Sequence, residues 1–502
     1  MKRVVVVGAG VGGLTTAAVL AKAGLDVTVL EAHIYPGGCA GTFYHQGYRF
    51  DAGATLAGGF YPGGPMDLVA KATGIDGWDT RPSNPTLVVH LANGKQIPRW
   101  ADERRWAARQ EAFGVRGEAF FTWQETTADA LWDLALRGMP WPPQTLAEWT
   151  ELLCKGLRWL GADLGSRLKP GLAADTLRTV SAHLNGVNHD LRLFLDGQLL
   201  ISAQTTSEHA NALYGASALD LPRRGAVHVR GGMGGISTQL MDAIQRYGGR
   251  VLLRKQVIQV RKTDSQTYQV EVKRDEPKEA DIIIFNLTPW NIRSLLEPPP
   301  PGALNGLSPK PEQGWGAFML YLGVDEQVIP REFALHHQLL QKRPLAEGNS
   351  IFLSVSPEWD SQRAPIGKRA ITISTHTEIE QWWHAQESDP KAYQLKRKRL
   401  QEKILRTVET LLPGIQQHAD VILDGTPQTF AYFTGRQRGW VGGFPQTNLM
   451  QTMAPRLSKN LWMVGDSIFP GQSTAAVALG GLRVARDVLT HTSPHSNIRG
   501  EC

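Results

Sequence analysis

The chain has 502 residues, 42% hydrophobic and 20% charged, with a formal net charge of +6. Such a length supports two or three domains around a large core. The small basic excess, whose longest run is Lys396–Arg399 in a polar helical stretch, argues against nucleic acid and suits an anionic cofactor or membrane surface.

Lys2–Gly8, with four consecutive valines, reads as a buried parallel strand. Gly12–Gly24 reads as a helix and Asp26–Leu30 as a second strand closing on Glu31, which completes a βαβ unit. The following stretch is dense in glycine (Gly37, Gly38, Gly41, Gly53, Gly58, Gly59), the pattern of backbone pressed against a ligand. Between about Asp76 and Gly225 the character changes: eight of the 15 tryptophans fall between Trp78 and Trp159. Helical patterns run over Glu118–Arg137 and Leu146–Gly161. A loop, helix and strand occupy His228–Lys262, Ala280–Pro289 carries a buried strand, and Pro298–Gly302 reads as a linker. Gly316–Val324 and Ala370–His376 alternate like strands of a second sheet, Pro390–Leu412 is a polar helix, and Asp424–Phe433 leads back toward the end of the chain. The three cysteines (Cys39, Cys154, Cys502) lack C-x-x-C spacing, which predicts neither a disulfide framework nor a metal site and fits a reducing compartment. A strand at the very start leaves no room for a signal peptide, and no apolar run nears the ~20 residues needed to span a bilayer. The expectation is a protein on the cytoplasmic side whose membrane contact is peripheral.

Gly8, Gly10 and Gly13 match G-x-G-x-x-G: the first for a tight turn, the second for close approach of a pyrophosphate, the third for helix–sheet packing. Gly12 lies in the same helix N-terminus, whose free N–H groups and positive dipole end favour phosphate. Glu31, followed by Ala32, stands where a carboxylate accepts from a ribose 2′-hydroxyl and repels a 2′-phosphate. A second strand–Gly–Asp–helix unit, Leu461–Gly481, lies over four hundred residues later. FAD explains both units, because its ribityl and flavin end also needs holding. Asp466, after Gly465, can accept from ribityl hydroxyls. A helix starting near Gln472 can aim N–H groups at the flavin C2 carbonyl, where charge grows on reduction. Ser473, Thr474, Ala475 and Ala476 are small enough to lie against the ring.

The stretches Gly8–Leu56, Arg230–Val251 and Val464–Gly481 together resemble the phytoene-desaturase and carotenoid-isomerase group of the amine-oxidase-like flavoproteins. The tryptophan-rich region and Gly435–Thr447 look most like cyanobacterial-type carotenoid 3′,4′-desaturases. Many relatives carry Arg directly after the Gly-Gly of "PGG", whereas this chain has Cys39, as the isomerase-like branch also lacks that Arg. The resemblance implies an α/β architecture: a Rossmann-like FAD-binding domain with an inserted α+β substrate domain, its sheet carrying helices on one side. The FAD domain is expected at 1–75, 225–290 and 425–502, and the substrate, membrane-facing part at 76–224 and 291–424. It also implies that Val257 touches the adenine through its backbone and that Gly38, Gly53, Ala54 and Thr55 lie along the pyrophosphate and flavin.

The implied reaction is desaturation of a C40 carotenoid: hydride loss to flavin N5, then proton loss, with a quinone or O2 as possible final acceptor. No triad, metal or paired-carboxylate motif is legible, and no catalytic base is assigned. Arg436, Arg438 and Trp440 are candidates to border the flavin, a solvated turn being the other reading of the arginines. Trp149, Lys155, Arg158, Trp159, Arg167 and Lys169 suit a headgroup layer; the alternative is a helical domain whose tryptophans fill its core. Competing functions are a flavin-dependent carotenoid cis–trans isomerase, an amine oxidase, and a non-catalytic FAD-binding membrane or assembly protein.

Overall fold

Four consecutive valines cannot alternate between core and solvent, and Val4–Val7 are accordingly buried on both faces of a sheet. The computed structural model describes residues 1–163, 165, 170–263, 267–298, 302, 304 and 314–492. The valine strand, Arg3–Val7, pairs in parallel with Asp26–Leu30 on one side and Ile282–Phe285 on the other. Arg250–Leu252 extends the sheet beyond Asp26–Leu30; Leu461–Met463 and then the antiparallel edge Arg456–Ser458 extend it beyond Ile282–Phe285. The crossover helix Val11–Lys22 buries small residues on the sheet, and the last helix, Thr474–Thr492, packs against it. A Cβ at Gly481 would lie 2.8 Å from the Gly12 carbonyl, so this contact requires glycine. The chain's two ends are therefore packed together in one α/β domain.

A second, seven-stranded sheet runs in the order Ala419–Gly425, Trp315–Asp325, Lys368–Glu378, Ser350–Val355, His336–Leu340, Leu87–Leu91, Gln96–Arg99. Its strands come from both segments expected to form the substrate part. Alternation sends Phe318, Leu320, Ile351 and Ile373 to one face, under helix Pro390–Glu409. Trp315, Phe352 and Leu340 face the other way, where helices Arg104–Leu136 and His189–Ala203 pack at one end. Helices thus cover both faces rather than the single side expected, because apolar side chains stand on each, Phe318, Leu320 and Ile373 on one and Trp315, Leu340 and Phe352 on the other.

The Arg104–Leu136 helix starts fourteen residues before the expected Glu118, since Gly114, at φ 68°, breaks its geometry without ending it. Cys39 is a free thiol. Most of the expected Pro298–Gly302 linker, and the tail beyond Thr492, lie outside the described residues. No described helix is long and apolar enough to cross a membrane.

Candidate functional site

Parallel strands end level when their registers match. Val7 is level with Phe285, and Phe285 with Met463. The residues that follow (Gly8; Asn286; Val464 and Gly465) therefore sit side by side at the carboxyl edge of the sheet, the place where open α/β sheets bind ligands. Both glycine turns meet here across one intervening strand.

Asn286 joins them. Its Oδ1 accepts from the Gly13 N–H at 3.2 Å. A Cβ on Gly10 would fall against the Asn286 amide, and one on Gly465, itself at φ 131°, would lie 3.6 Å from Asn286 Oδ1. Gly10 is the N-cap of the first helix, so no capping side chain competes for its leading N–H groups. Gly13 could carry no Cβ, which would come 2.6 Å from the Gly8 carbonyl.

The Glu31 carboxylate accepts from the backbone N–H of Ala9 at 2.7 Å and of His33 at 2.8 Å. These bonds fix it at the end of its strand with lone pairs to spare. Ala32 beside it is exposed at the rim. Lys255 donates its N–H to the Glu31 carbonyl at 2.7 Å. That contact brings the strand opening at Val257 alongside Glu31, although Val257 itself is a buried side chain.

The glycine-rich loop docks next to the first turn: Gly37 donates its N–H to the Ala9 carbonyl at 2.7 Å, which sets Gly38 beside Gly10. Ala54 donates its N–H to Cys39 O at 2.9 Å, and a Cβ on Gly53 would lie 2.9 Å from the same oxygen. Thr55 points toward the second sheet, its hydroxyl 2.8 Å from Ser354 Oγ.

The last helix begins at Thr474, with Ser473 Oγ accepting the Ala476 N–H at 3.1 Å. Ser473 holds φ at 125°, a conformation that costs a non-glycine residue of order 1–3 kcal/mol and is characteristic of functional turns. Gln472 Oε1 accepts from the Gly443 N–H at 2.9 Å, while its Nε2 is buried without a partner. Ala475 packs under Gly59.

The two arginines part company. Arg436 turns inward: its guanidinium pairs with Asp466 at 2.9 Å and donates to the carbonyls of Trp440 at 2.7 Å and Gly442 at 2.6 Å. Burial opposes its charge, but Asp466 and the neighbouring Cys39 outweigh that and raise its pKa. Burial pushes the Cys39 thiol up, with Arg436 pulling the other way. Asp466 is thus a neutralised carboxylate rather than a free one. Arg438 turns outward to Glu380 at 2.8 Å, and is the solvated turn. Trp440 is buried against Trp290, with ring centroids 5.2 Å apart.

Facing this edge is the second sheet. Tyr321 donates its hydroxyl to the Ala52 carbonyl at 2.6 Å and Ser354 bonds Thr55, so the face carrying odd residues of Trp315–Asp325 looks at the nucleotide domain. On it Ala317, Phe352, Ser374 and His376 stay half-buried in mid-sheet, although Phe318, Ile351 and Ile373 on the reverse face are fully buried. Their partial exposure in mid-sheet marks a space, the chamber, between sheet and nucleotide domain. Trp315 ties that chamber to the opposite wall: its Nε1 donates to the Gln204 carbonyl at 3.2 Å and its carbonyl accepts from the Val441 N–H at 2.9 Å. Gln204 Oε1 is another buried atom without a partner.

These features fit FAD. A cradle that excludes Cβ atoms lies over two helix N-termini, a ribose-type carboxylate stands at one end, and an orphaned amide stands at the other. Among the described residues no group of three or more His, Cys, Asp or Glu is placed to hold a metal ion.

The expected headgroup residues divide. Trp159 is buried, its Nε1 donating to the Ala130 carbonyl at 3.0 Å, and is a core residue, not a lipid anchor. Lys155 is tied to the Gly138 carbonyl at 2.9 Å. Trp149 and Arg158 are exposed; Arg167 and Lys169 lie outside the described residues. Of the eight tryptophans between Trp78 and Trp159, Trp149 alone is exposed, so most of that region's tryptophans serve the core. Reasoning from sequence overlooked Asn286, whose signal was a polar residue ending an apolar strand.

The model of the flavin containing amine oxidoreductase family matches residues 11–489. The prolycopene isomerase of Arabidopsis thaliana is 27% identical over 96% of this chain and 82% of its own length. The all-trans-retinol 13,14-reductase of Rattus norvegicus is 25% identical over 93% of this chain and 82% of its own. Among solved structures, putrescine oxidase with putrescine bound superposes with a TM-score of 0.62 at 16% identity, covering 97% of this chain and 99% of the other. An oxidoreductase from Methanosarcina mazei does so at 0.60 and 17% identity, covering 96% and 100%. Those likenesses fit the carotenoid desaturase and isomerase group that the sequence resembles. The chain belongs to the flavin containing amine oxidoreductases and is an FAD-dependent oxidoreductase.

Proposed function

We propose that this oxidoreductase acts on a C40 carotenoid, removing hydrogen across a carbon–carbon bond to extend the polyene. The observation that carries the reading is the likeness, over almost the whole chain, to proteins named for polyene substrates. The chamber supports it: Ala317 and Phe352 offer an apolar wall. A hydrocarbon presents nothing to ionise or hydrogen-bond, so placement in a dry space next to the cofactor is the main contribution open to the protein.

FAD, when bound, supplies the two-electron acceptor. The chain's part is to hold it and exclude water. Gly8, Gly10, Gly12 and Gly13 would take the pyrophosphate, Glu31 the ribose, and the turn from Gly465 to Ser473 the ribityl–flavin end. The Arg436–Asp466 pair would leave that end uncharged overall, which spares a reduced, anionic ring from a bare carboxylate.

A second reading, geometric isomerisation without net oxidation, is favoured by the name of the prolycopene isomerase relatives and by Cys39 in the position where many desaturase relatives carry Arg. Anaerobic incubation of the FAD-loaded protein with lycopene and with a poly-cis isomer separates them. Products two hydrogens lighter support desaturation. Products of unchanged mass, formed only with reduced flavin, support isomerisation. A quinone or O2 would reoxidise the flavin in the first case.

We also place a peripheral membrane contact on the cytoplasmic side, at helix Leu146–Ala162. Its Leu146, Trp149, Leu153 and Leu157 are all exposed at helical spacing, with Arg158 beside them. A lipid-dissolved substrate needs such a contact to leave the bilayer.

A further inference from the structure

We propose that His376 is the group that takes the proton from the carotenoid once its hydride has left. The inference rests on the desaturase reading and assigns the base that neither motif nor spacing supplies.

Three observations carry it. The first is position. His376 lies in mid-strand in Lys368–Glu378, paired with Ala317, on the face that looks toward the nucleotide domain. Its neighbour across the strand is small, so the ring is not covered by the sheet itself. Next to it Trp315 makes an edge-on contact, with ring centroids 5.9 Å apart. Through Trp315 the imidazole is connected to Gln204 and Val441, and Gly443 beyond Val441 holds Gln472 at the start of the flavin-facing helix. The ring therefore fronts the chamber on the side of the second glycine turn.

The second is availability. Among the described residues the His376 side chain makes no hydrogen bond, and neither does Ser374, two residues along on the same face. The other interior histidines each make at least one hydrogen bond, although His336 Nε2 is buried without a partner. His228 bonds Asp360 at 2.7 Å, His336 bonds Ser354 at 2.8 Å, and His337 bonds His90 at 2.9 Å and the Ala334 carbonyl at 3.0 Å. A half-buried ring with neither nitrogen hydrogen-bonded is open to a ligand in front of the sheet.

The third is charge. Burial alone lowers the imidazole to about 4, so it is neutral at pH 7. A neutral base does not repel a developing carbocation, as a lysine or a protonated histidine would. A low basicity suffices, because a C–H bond next to a polyene cation is strongly acidic.

The step balances. The hydride and its two electrons go to the flavin, the oxidant. The C–H pair on the adjacent carbon becomes the new C=C bond. The proton forms an N–H bond on the imidazole and leaves to solvent when the product departs.

The test uses FAD-loaded, full-length protein and lycopene in phosphatidylcholine liposomes. First, carbethoxylation by diethylpyrocarbonate is read by peptide mass spectrometry without turnover, under reduced flavin. Lycopene is expected to slow modification of His376 at least about tenfold while leaving exposed His189 unchanged; equal rates at His376 with and without lycopene overturn the proposal. Second, His376→Gln and His376→Ala are expected to keep the flavin spectrum and KM and to lose about 10²–10⁴-fold in kcat, the usual contribution of a positioned base. Added imidazole should restore part of the activity of His376→Ala, which a packing role would not allow. Turnover by His376→Gln within twofold of the parent overturns the assignment. A parent protein that seats lycopene against His376 but never lightens it by two hydrogens overturns the desaturase reading instead.

Discussion

The two largest sheets of this molecule were unequally written in the sequence. The six-stranded nucleotide sheet announces itself, because phosphate and ribose demand particular residues at particular spacings: glycine where backbone must come close, a carboxylate at a strand end. Under the proposed function the seven-stranded sheet facing it handles a hydrocarbon, which demands only shape and dryness. Its strands could be found by alternation, but what they do could not. Polar groups are fixed by local chemistry that a linear motif can hold. An apolar chamber is assembled from residues far apart in the chain, each ordinary alone.

If that difference is real, the nucleotide side should break at single residues. Gly13→Val has the largest expected effect: a Cβ 2.6 Å from the Gly8 carbonyl and 2.8 Å from Asn286 cannot be relieved by rotating a side chain. More than hundredfold loss of FAD affinity, about 3 kcal/mol, is expected by fluorescence titration, with protein that purifies colourless. Next comes the Arg436–Asp466 pair. Arg436→Gln or Asp466→Asn each leaves a largely buried charge unpaired and should cost about 2–3 kcal/mol in unfolding free energy. The double variant should recover much of it, and a double-mutant cycle reads the coupling. Asn286→Ala removes a side chain that lies between the two turns. We expect about 1–2 kcal/mol, measured as a fall in melting temperature that added FAD only partly restores.

The chamber side should respond more to conditions than to single contacts. His336, fully buried and lowered to about 3 by burial, binds no proton in the folded state where the unfolded chain does. Its ordinary value is 6.5, so its contribution to stability is present above pH 6.5 and is lost as the pH falls toward 3. Denaturant titrations between pH 7 and 5 should show a slope of about 1 kcal/mol per pH unit from this residue, flattened in His336→Asn. The smallest effect on stability belongs to the surface. Leu153→Ser with Leu157→Ser should leave unfolding within about 0.5 kcal/mol while abolishing flotation with anionic liposomes. Unchanged flotation would remove the membrane contact from that helix.

Particular residues show where legibility ended. The βαβ unit, Glu31 and the Leu461–Gly481 segment were readable because both ends of a dinucleotide impose backbone geometry. Arg436 and Arg438 were indistinguishable in sequence: they are two residues apart in a turn, and only the fold sends one to Asp466 and the other to Glu380. Trp159 looked like an interfacial anchor and is a core residue, because amphipathic spacing does not tell which neighbour covers a helix. In "ITISTHT" the polar positions Thr372, Ser374 and His376 share a face, a pattern normally read as the solvent side. Here that face is interior, and a polar face turned inward is what marks the chamber.

The central claim is that two glycine turns at opposite ends of the chain hold one FAD beside a chamber for a long polyene. Anaerobic absorption spectroscopy of the purified protein during addition of lycopene in liposomes tests it most directly, with product mass read from the same cuvette. The account expects a flavin spectrum that bleaches in step with loss of two hydrogens from the pigment. A colourless protein that takes up no FAD on reconstitution would contradict the claim about the turns, and a flavin untouched by any C40 polyene would contradict the claim about the chamber.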